Sequence, residues 1–450
     1  MKVAKFGGSS VANGNQIEKI GAIIKSDPQR RFVVVSAPGK RHQDDTKLTD
    51  LLIQLGNIAF QNKPYMDNLT VIMNRFSEIV EELKISPSIL DDIRNNIQAI
   101  IDNNESNQMK MDALKSIGED SSAKLVSEYL KIIGLNARYL NPQDAGIIVS
   151  NEPGNAQILP ESFSELYKLR QYDEIAVIPG FFGFTTEGKL MTFSRGGSDI
   201  TGSIVAAGVR AELYENFTDV DSVYTVNPSI VSNPKEITTL TYKEMRELSY
   251  AGFSVFHDEA LIPAFQRKIP VCIKNTNNPD APGTMIVSEK NRSSKCVVGI
   301  ASSKGFSSLY VSKYLMNREV GFGRKLLQIL ERENISFEHA PSGIDEMSVI
   351  IRNSQLSAAK EEIIVNKIKD ELHPDRITFH RDLAMIMIVG EGIVSTLGIA
   401  QKATTALTDA HVNIEMINQG SSEVSIMFGI QSEGLDRAIP SLYNAFFGSK

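Results

Sequence analysis

The stretch Lys2-Val3-Ala4-Lys5-Phe6-Gly7-Gly8-Ser9-Ser10-Val11 opens the chain with a short apolar run, a double glycine and two hydroxyls. Segment 16–24 follows it with the apolar spacing of an amphipathic helix. A strand, a glycine turn and a helix in this order form the start of a βα unit. Such units build mostly parallel sheets that are covered by helices. This stretch therefore predicts an α/β fold.

Further short apolar runs alternate with periodic segments along the first 290 residues or so, and this alternation predicts helices on both faces of one sheet. The other predicted strands are 32–35, 136–140, 175–178, 212–217 and 271–273, and the other predicted helices include 122–133 and 200–207. Between them, the polar segment 64–120 is rich in Glu, Asn and Lys. We interpret it as a helical excursion from the sheet that is solvated on one side.

The last third of the chain contains an internal duplication at an offset of 77 residues. Identities at this offset include Gly321/Gly398, Leu330/Leu407 and Ser348/Ser425, and the apolar positions between them stay in step. Each copy reads strand, glycine turn, amphipathic helix, strand, turn, strand, which is the beginning of a ferredoxin-like βαββαβ module. The polar stretch 288–294 is the candidate linker before the duplication.

Composition limits the classes of partner. The 450 residues suggest about three domains. Lys and Arg number 47 and Asp and Glu 54, a net charge of −7 with no long basic block, so we expect no nucleic-acid or membrane partner. The two cysteines, Cys272 and Cys296, lack zinc or CxxC spacing and predict free thiols in a reducing compartment. The N-terminus has no apolar core of a signal peptide, so we expect a cytoplasmic protein.

The first chemical motif is the turn after the first strand. Gly7 and Gly8 allow the backbone to approach an anion closely, and N–H groups at a helix start suit phosphate. Lys5 adds a charge that can neutralise a transferring phosphoryl group. An ordinary strand-to-helix turn is the alternative interpretation, and the chain has no GxxxxGK[ST] motif.

The second motif is Phe193-Ser194-Arg195-Gly196-Gly197-Ser198-Asp199-Ile200-Thr201. Arg195 is suited to hold a carboxylate through two hydrogen bonds. Asp199 is placed to hold a cation, an ammonium group or Lys5. The alternative is that Ser198 or Asp199 only caps the following helix.

The third motif runs from Asn216 to Pro228 and combines carboxylates, hydroxyls and a tyrosine after a predicted strand. At the carboxyl edge of a parallel sheet such a composition suits a nucleotide. A solvated turn is the alternative.

Together these motifs resemble, in content, order and approximate spacing, the signatures of the aspartate kinase family among the amino-acid kinases, and the duplication resembles that family's tandem ACT domains. The resemblance covers essentially the whole chain, whose length is similar to that of the monofunctional, lysine-sensitive type. It implies a mostly parallel sheet sandwiched by helices plus two ACT domains, with domains at 1–290, 296–380 and 381–450 and with strands that the two ACT units are free to share.

The resemblance also implies the activity. It indicates ATP-dependent phosphorylation of the L-aspartate β-carboxylate to 4-phospho-L-aspartate, the first step of lysine, threonine and methionine biosynthesis. Mg²⁺ would bridge the ATP phosphates, and no protein ligand of the metal is assigned. The resemblance further implies feedback inhibition by lysine, threonine or both, in a homodimer or tetramer. The alternatives are a kinase for another small acid, such as glutamate or N-acetylglutamate, and a catalytically dead amino-acid sensor.

Site residues carry over from the family position by position. Lys5 and Asp199 are implied to be catalytic. The residues implied for aspartate are Thr49 (with Thr46 as competitor), Glu119, Arg195 and Asp199. Those implied for ATP are Lys5, Gly7, Gly8, Ser9, Thr218, Asp219 and Tyr224. Those for the inhibitory amino acid are Met316, Val320, Gly321, Glu338, Asp345 and Glu346.

One departure from the family pattern concerns the nucleotide. Ser254 stands where many members carry a lysine, and Asp258 stands at the position of a proline. Lys274 or Lys268 is the candidate replacement for the missing charge. We interpret the neighbouring His257 as structural rather than catalytic.

Overall fold

A computed structural model of the chain describes residues 1–194, 196–253, 256, 258–290, 296–393, 395–419 and 424–448. These residues form two compact units. The first unit comprises Met1–Val223, Glu236–Met245 and Ser254–Asn291. The second comprises Tyr224–Lys235, Arg246–Phe253 and Arg292–Lys450.

Strands and helices alternate over the first 290 residues, as predicted. The strands are β1 (Lys2–Phe6), β2 (Arg30–Val35), β3 (Ala137–Tyr139), β4 (Ile175–Pro179), β5 (Phe182–Phe184), β6 (Leu190–Thr192), β7 (Leu213–Thr218), β8 (Val223–Tyr224), β9 (Glu236–Ile237), β10 (Thr239–Thr241), β11 (Val271–Asn275) and β12 (Thr284–Val287). The helices are α1 (Gly14–Ser26), α2 (Leu48–Ala59), α3 (Met66–Leu83), α4 (Ser88–Asp102), α5 (Asn107–Ile132), α6 (Ser162–Lys168), α7 (Gly197–Val209), α8 (Tyr242–Tyr250) and α9 (Ile262–Gln266).

The first unit contains an eight-stranded sheet in the order β10-β12-β11-β7-β1-β2-β4-β3. Only the β11–β12 pair in it is antiparallel, so the prediction of a mostly parallel sheet is confirmed. Its central strands are apolar on both faces because helices cover them. On the α1 side, for example, Phe6 stacks on Phe217 with ring centroids 4.8 Å apart.

The polar segment 64–120 is helical, as predicted, and forms α3, α4 and the first half of α5. Its apolar stripe, which includes Ile72 and Phe76, packs into the core of the first unit, and its outer face is solvated. The same helices also bury charged side chains, namely Arg75, Asp112 and Glu119. The polar composition of this segment therefore did not predict that three of its charged side chains are buried.

The second unit is built on a five-stranded antiparallel sheet in the order β14-β13-β15-β17-β16. Its strands are β13 (Gly299–Ser312), β14 (Glu346–Arg352), β15 (Arg376–Val389), β16 (Met416–Asn418) and β17 (Ser425–Gln431). Its helices are α10 (Phe322–Arg332), α11 (Ala358–Leu372), α12 (Ile399–Asp409) and α13 (Leu435–Phe447).

The duplication is visible in the structure. Helices α10 and α12 begin 77 residues apart, and each follows a left-handed glycine, Gly321 with φ +83° and Gly398 with φ +82°. Each copy has its own apolar cluster.

The two modules share their long strands. β13 and β15 pair along their whole length, with a register shift near Gly305 (φ +92°) and Asp382 (φ +58°). The second half of β13 and the first half of β15 belong to the first module, and the remaining halves belong to the second. The first module is thus inserted within the second, and a boundary at residue 380 falls inside β15.

Two further expectations can be compared with the structure. Cys272 and Cys296 are free thiols, as predicted. Among the described residues, no helix has both the length and the apolar character needed to cross a membrane.

Candidate active site

Five parallel strands of the first unit, β1, β2, β4, β7 and β11, end at one edge of the sheet, where the turns that follow them lie side by side. Backbone hydrogen bonds join these turns to neighbouring strands. Gly7 N donates to Phe217 O (2.9 Å), Gly180 N to Val35 O (2.9 Å) and Thr276 N to Thr218 O (2.9 Å). This edge is where ligands bind in open α/β sheets.

Two glycine turns face each other at the centre of this edge: the first, 7–8, follows β1, and the second, 36–39, follows β2. Gly39 N donates to Gly8 O at 2.8 Å. A Cβ atom on Gly39 would lie 2.6 Å from the carbonyl carbon of Gly8, so only glycine allows this approach. Gly8 and Ser9 begin a 3₁₀ turn, Gly8–Val11, and N–H groups at a helical start have no intrahelical acceptor. The predicted glycine turn after β1 is therefore present, and its role in binding an anion stays a prediction.

Lys5 and Asp199 form an ion pair beside the first glycine turn. Lys5 Nζ lies 2.5 Å from Asp199 Oδ1, and the Lys5 residue is 6% exposed. The sequence analysis considered a cation, an ammonium group and Lys5 as partners of Asp199, and the structure shows Lys5 in this position. Two motifs that lie almost 200 residues apart in sequence thus meet at one point.

Asn216 completes this arrangement, and the sequence analysis did not assign it a role. It lies beside Lys5 in the β1–β7 register, and its Nδ2 donates to Asp199 Oδ1 at 2.8 Å. Its Oδ1 is buried and has no hydrogen-bond partner among the described residues. The available signal was its place as the first residue of the third motif, one residue before the end of the predicted strand 212–217.

The second motif forms the entrance to α7. Gly196 caps this helix with φ +83°, and a Cβ on Gly197 would lie 2.6 Å from a ring carbon of Phe181. Asp199 falls in the first turn of α7, which aims its carboxylate at Lys5. Arg195, the predicted carboxylate ligand, lies outside the described residues.

Glu119 reaches the same edge from α5. A Cβ on the preceding residue, Gly118, would lie 2.5 Å from the Cβ of Ala37, so glycine lets α5 pack against the second glycine turn. Burial raises the pKa of Glu119 to about 8, although hydrogen bonds from the Ala37 backbone and the Ser198 side chain, and the charge of Lys5, act to lower it. Its Oε2 has no partner among the described residues. An incoming ammonium group would favour the ionised form of this buried carboxyl group.

The raised pKa of Glu119 predicts a pH-dependent stability. The folded chain keeps the Glu119 proton up to about pH 8, whereas the unfolded chain loses it near the ordinary value of 4.5. The folded state therefore binds more protons between these values, and this contribution to stability falls as the pH rises from about 4.5 to about 8. We expect Glu119→Gln to show a smaller decrease in Tm than the wild type between pH 6 and pH 8, as measured by thermal unfolding.

A matched control for this experiment is Glu244→Gln, because Glu244 is equally buried but is paired with Lys290. An identical pH dependence of Tm in wild type and Glu119→Gln would show that Glu119 does not titrate in this range.

The predicted threonine, Thr49, lies in the first turn of α2 and is half-buried. Leu48 N donates to Pro38 O at 3.2 Å, which fixes the start of α2 to the second glycine turn. Thr46 lies just before the helix, and its carbonyl oxygen accepts a hydrogen bond from Arg75. The choice of Thr49 over Thr46 as a substrate contact stays a prediction.

The predicted nucleotide residues follow β7. Thr218 is half-buried and donates to the exposed Asp219 carboxylate (Oγ1 to Oδ1, 3.1 Å). Tyr224 belongs to the second compact unit. The sequence analysis did not single out Asp221, whose carboxylate accepts from Asn275 Nδ2 (2.8 Å) and Asn278 Nδ2 (3.2 Å) and so holds the two loops together.

The structure separates the two candidate replacements for the missing lysine. Lys274 is the last residue but one of β11, at the edge that carries the site. Lys268 precedes β11 and therefore lies at the opposite edge, so it is not a suitable replacement. Ser254 and His257 lie outside the described residues, and Asp258 begins the 3₁₀ turn Asp258–Leu261.

No metal cage accompanies these residues. Within the described part of the chain, no group of three or more His, Cys, Asp or Glu side chains is arranged to hold a metal ion.

The predicted regulatory residues all belong to the first module, but the structure places Glu338 beside Arg352, at the opposite end of β14 from Glu346. Gly321 caps α10, Val320 beside it is 95% exposed, and Met316 is buried in the module's core. Asp345 Oδ1 accepts from Leu315 N at 2.8 Å, which brings its carboxylate to the 316–321 loop.

The other two predicted carboxylates already have partners. Glu338 accepts hydrogen bonds from Arg352 Nε (2.7 Å) and from the Tyr250 hydroxyl. Glu346 accepts from the Tyr310 hydroxyl (2.5 Å). Asp345 is thus the predicted carboxylate most directly tied to the loop.

Comparison with known proteins agrees with this geometry. The model of the amino acid kinase family matches residues 1–275, and a model of the ACT domain matches residues 386–446. Because the first match covers more than half of the chain, the chain belongs to the amino acid kinase family.

Individual relatives show to which group within the amino acid kinase family the chain is most similar. Aspartokinase 3 of Bacillus subtilis (strain 168) is 54% identical over 448 residues, covering 99% of each chain. The chloroplastic aspartokinase 1 of Arabidopsis thaliana is 28% identical over 466 residues, covering 99% of this chain and 80% of the plant protein. The crystal structure of Clostridium acetobutylicum aspartate kinase superposes with a TM-score of 0.87 at 40% identity, covering 99% of this chain and 100% of that one. Within the family, the chain is placed among the aspartate kinases.

Proposed function

We propose that the chain transfers the γ-phosphoryl group of ATP to the β-carboxylate of L-aspartate and releases ADP and 4-phospho-L-aspartate. The observation that carries the proposal is the buried Lys5–Asp199 pair beside two facing glycine turns at the carboxyl edge of a parallel sheet. The similarity to aspartate kinases over the full length supports the choice of substrate.

The chemistry explains why cations and N–H groups dominate the site. The acceptor carboxylate has a reference pKa of about 4 and is ionised at pH 7, so no general base is needed. One carboxylate oxygen forms a bond to the γ-phosphorus, while the bond from that phosphorus to the bridging oxygen of ADP breaks. The protein must bring two anions into line and stabilise charge on the transferring group.

Each site residue has a role in this proposal. Lys5 neutralises the transferring group, while the backbone of Gly7, Gly8 and Ser9 lines the phosphates. Arg195 binds the α-carboxylate of aspartate, Glu119 and Asp199 face its ammonium group, and Thr49 contacts it from α2. Thr218 and Asp219 hold the nucleotide, and Lys274 is the candidate for the charge that Ser254 lacks. Mg²⁺, when bound, supplies charge neutralisation on the phosphates.

A coupled assay of ADP release tests the proposal. We expect ADP release with L-aspartate and much less with glutamate or N-acetylglutamate. Release with another acid in place of aspartate would change the substrate, and no release with any acid would indicate a binding protein that has lost catalysis. Sedimentation of the same sample tests the proposed homodimer or tetramer.

We also propose that lysine, threonine or both inhibit the enzyme through the first module, where Gly321 and Asp345 would receive the amino acid. Backbone N–H groups at Gly321 would bind its carboxylate, and Asp345 would bind its ammonium group. Coupling between such sites is typically 1–3 kcal/mol, so we expect saturating inhibitor to change activity by roughly 5- to 150-fold. Inhibition curves for lysine, threonine and their mixture measure this effect.

The sharpest variant for the regulatory site is Asp345→Asn, which keeps an acceptor for Leu315 N but removes the charge. We expect it to weaken inhibition at least tenfold. Asp370→Asn is the matched control, because it removes an exposed carboxylate from α11 of the same module. Unchanged inhibition in Asp345→Asn, or no inhibition by either amino acid at millimolar concentration, would contradict the proposed site.

A further inference from the structure

Arg75 is a buried charge that none of the sequence motifs contains. It lies on α3, is 3% exposed, and is surrounded by apolar residues of the same helix such as Ile72 and Phe76. Burying a guanidinium group is costly unless its donors find acceptors. The hydrogen-bond acceptors of Arg75 therefore indicate which part of the chain this side chain holds in place.

All the acceptors of Arg75 lie on one segment, residues 39–46, between the second glycine turn and α2. Nη2 donates to Gly39 O at 2.8 Å, and Nη1 donates to Thr46 O at 3.1 Å. Nη1 also donates to the Asp45 carboxylate at 2.9 Å. The planar guanidinium fork thus holds both ends of the segment at once, which a lysine ammonium at one point does not reproduce.

Both ends of this segment are connected to the active site. At one end, Gly39 packs against Gly8, with its N–H bonded to Gly8 O. At the other end, only Lys47 separates Thr46 from α2, whose first turn carries Thr49. A displacement of the segment would separate the two glycine turns and move the threonine.

Charges around Arg75 balance the buried guanidinium. Asp45 is shared with Arg41, whose Nε lies 2.9 Å from Asp45 Oδ2, and Arg41 also pairs with Glu78 at 2.5 Å. Hydrogen bonds from Arg41 hold the pKa of Asp45 well below its ordinary value, so this carboxylate stays ionised at neutral pH. The cluster therefore links α3 to the 39–46 segment.

We propose that Arg75 is a positioning residue for phosphoryl transfer, which holds the 39–46 segment so that Gly39 stays against Gly8 and Thr49 stays in place at the head of α2. It acts through these residues and touches neither substrate. This inference rests on the proposed function, and it assigns the helical excursion a role in the site.

The test compares Arg75→Lys with the wild type in steady-state kinetics. We expect kcat to fall about tenfold and KM for aspartate to rise about tenfold, because a 1 Å misplacement of positioning groups costs about a hundredfold in catalysis. KM for ATP should change less than threefold, since the first glycine turn keeps its own bond from Gly7 N to Phe217 O.

Arg30→Lys is the matched control. Arg30 is also a buried arginine, paired with Glu215 through two hydrogen bonds of 2.6 and 2.9 Å, but it begins β2 at the edge opposite the site. We expect this variant to lower Tm while kcat and both KM values stay within twofold of the wild type. If the two lysine variants lose similar Tm and both keep wild-type kinetics, Arg75 is only a structural residue and the proposal is overturned.

A second variant separates the effect of the charge cluster from that of the two carbonyl contacts. Asp45→Asn keeps the Gly39 and Thr46 carbonyl contacts of Arg75, so we expect less than threefold loss of kcat and of affinity for aspartate. A loss of kcat and aspartate affinity as large as that expected for Arg75→Lys would overturn the proposal. It would mean that catalysis depends on the charge cluster and not on the hydrogen bonds from Arg75 to the two carbonyl oxygens. A wild type without aspartate-dependent ADP release would instead refute the proposed function.

Discussion

Replacement of Lys5 by alanine is expected to lower kcat by about 100- to 1000-fold while the fold survives. Lys5 lies at the end of β1, beside the glycine turn proposed to hold the phosphates, with its ammonium group fixed by Asp199 at 2.5 Å. A cation fixed in this way stabilises charge that develops on the transferring group, and removing one such group typically costs this much in rate. Steady-state kinetics on the purified variant measures the effect.

The control for Lys5→Ala lies on the same strand. Lys2 has the same side chain and is also ion-paired, with Asp27 at 2.7 Å, but it stands at the opposite end of β1. Lys2→Ala should keep kcat within about twofold, and circular dichroism should show both variants folded. A folded Lys5→Ala enzyme with near-normal kcat would remove Lys5 from the mechanism.

Arg195→Ala is expected to raise KM for aspartate roughly 30- to 700-fold and to leave KM for ATP nearly unchanged. The substitution removes a proposed two-point contact between a guanidinium group and a carboxylate, which contributes about 2–4 kcal/mol where it is shielded from water. Arg195 directly precedes the capping glycine of α7, whose first turn carries Asp199. Initial rates measured against each substrate in turn separate the two KM values.

Arg267→Ala is the control for the loss of a positive charge from the first unit, because Arg267 is exposed and follows α9. We expect both of its KM values to match those of the wild type. A rise in KM for ATP instead of aspartate in Arg195→Ala would mean that Arg195 binds phosphate and that the proposed places of the two substrates are exchanged.

Local patterns in the sequence predicted the features that depend on neighbouring residues. The run Lys2–Phe6 followed by Gly7 and Gly8 is a strand and a glycine turn because apolar alternation and glycine flexibility act over a few residues. The 77-residue offset likewise predicted the start of α12 from that of α10.

Features that depend on pairing between distant segments were harder to predict. Asn216 gains its role only from the β1–β7 register, which places it beside Lys5. Arg75 stands in a polar helix, where a charged side chain is usually solvated, and only the packing of α3 against the 39–46 segment buries it. The choice between Lys268 and Lys274 required knowing which end of β11 faces the site.

The insertion of one module within the other has a consequence for synthesis on the ribosome. Gly299, at the start of β13, pairs with Val389, at the end of β15, so about 90 residues must emerge after the first of these before they can meet. At about 5–20 residues per second, the first half of β13 waits on the order of ten seconds for its partner strand. The inserted module can close earlier, because its half of β15 is translated first. During the interval the waiting half-strand lacks its β15 partner and is open to pairing with other nascent chains, which exposes the protein to misassembly.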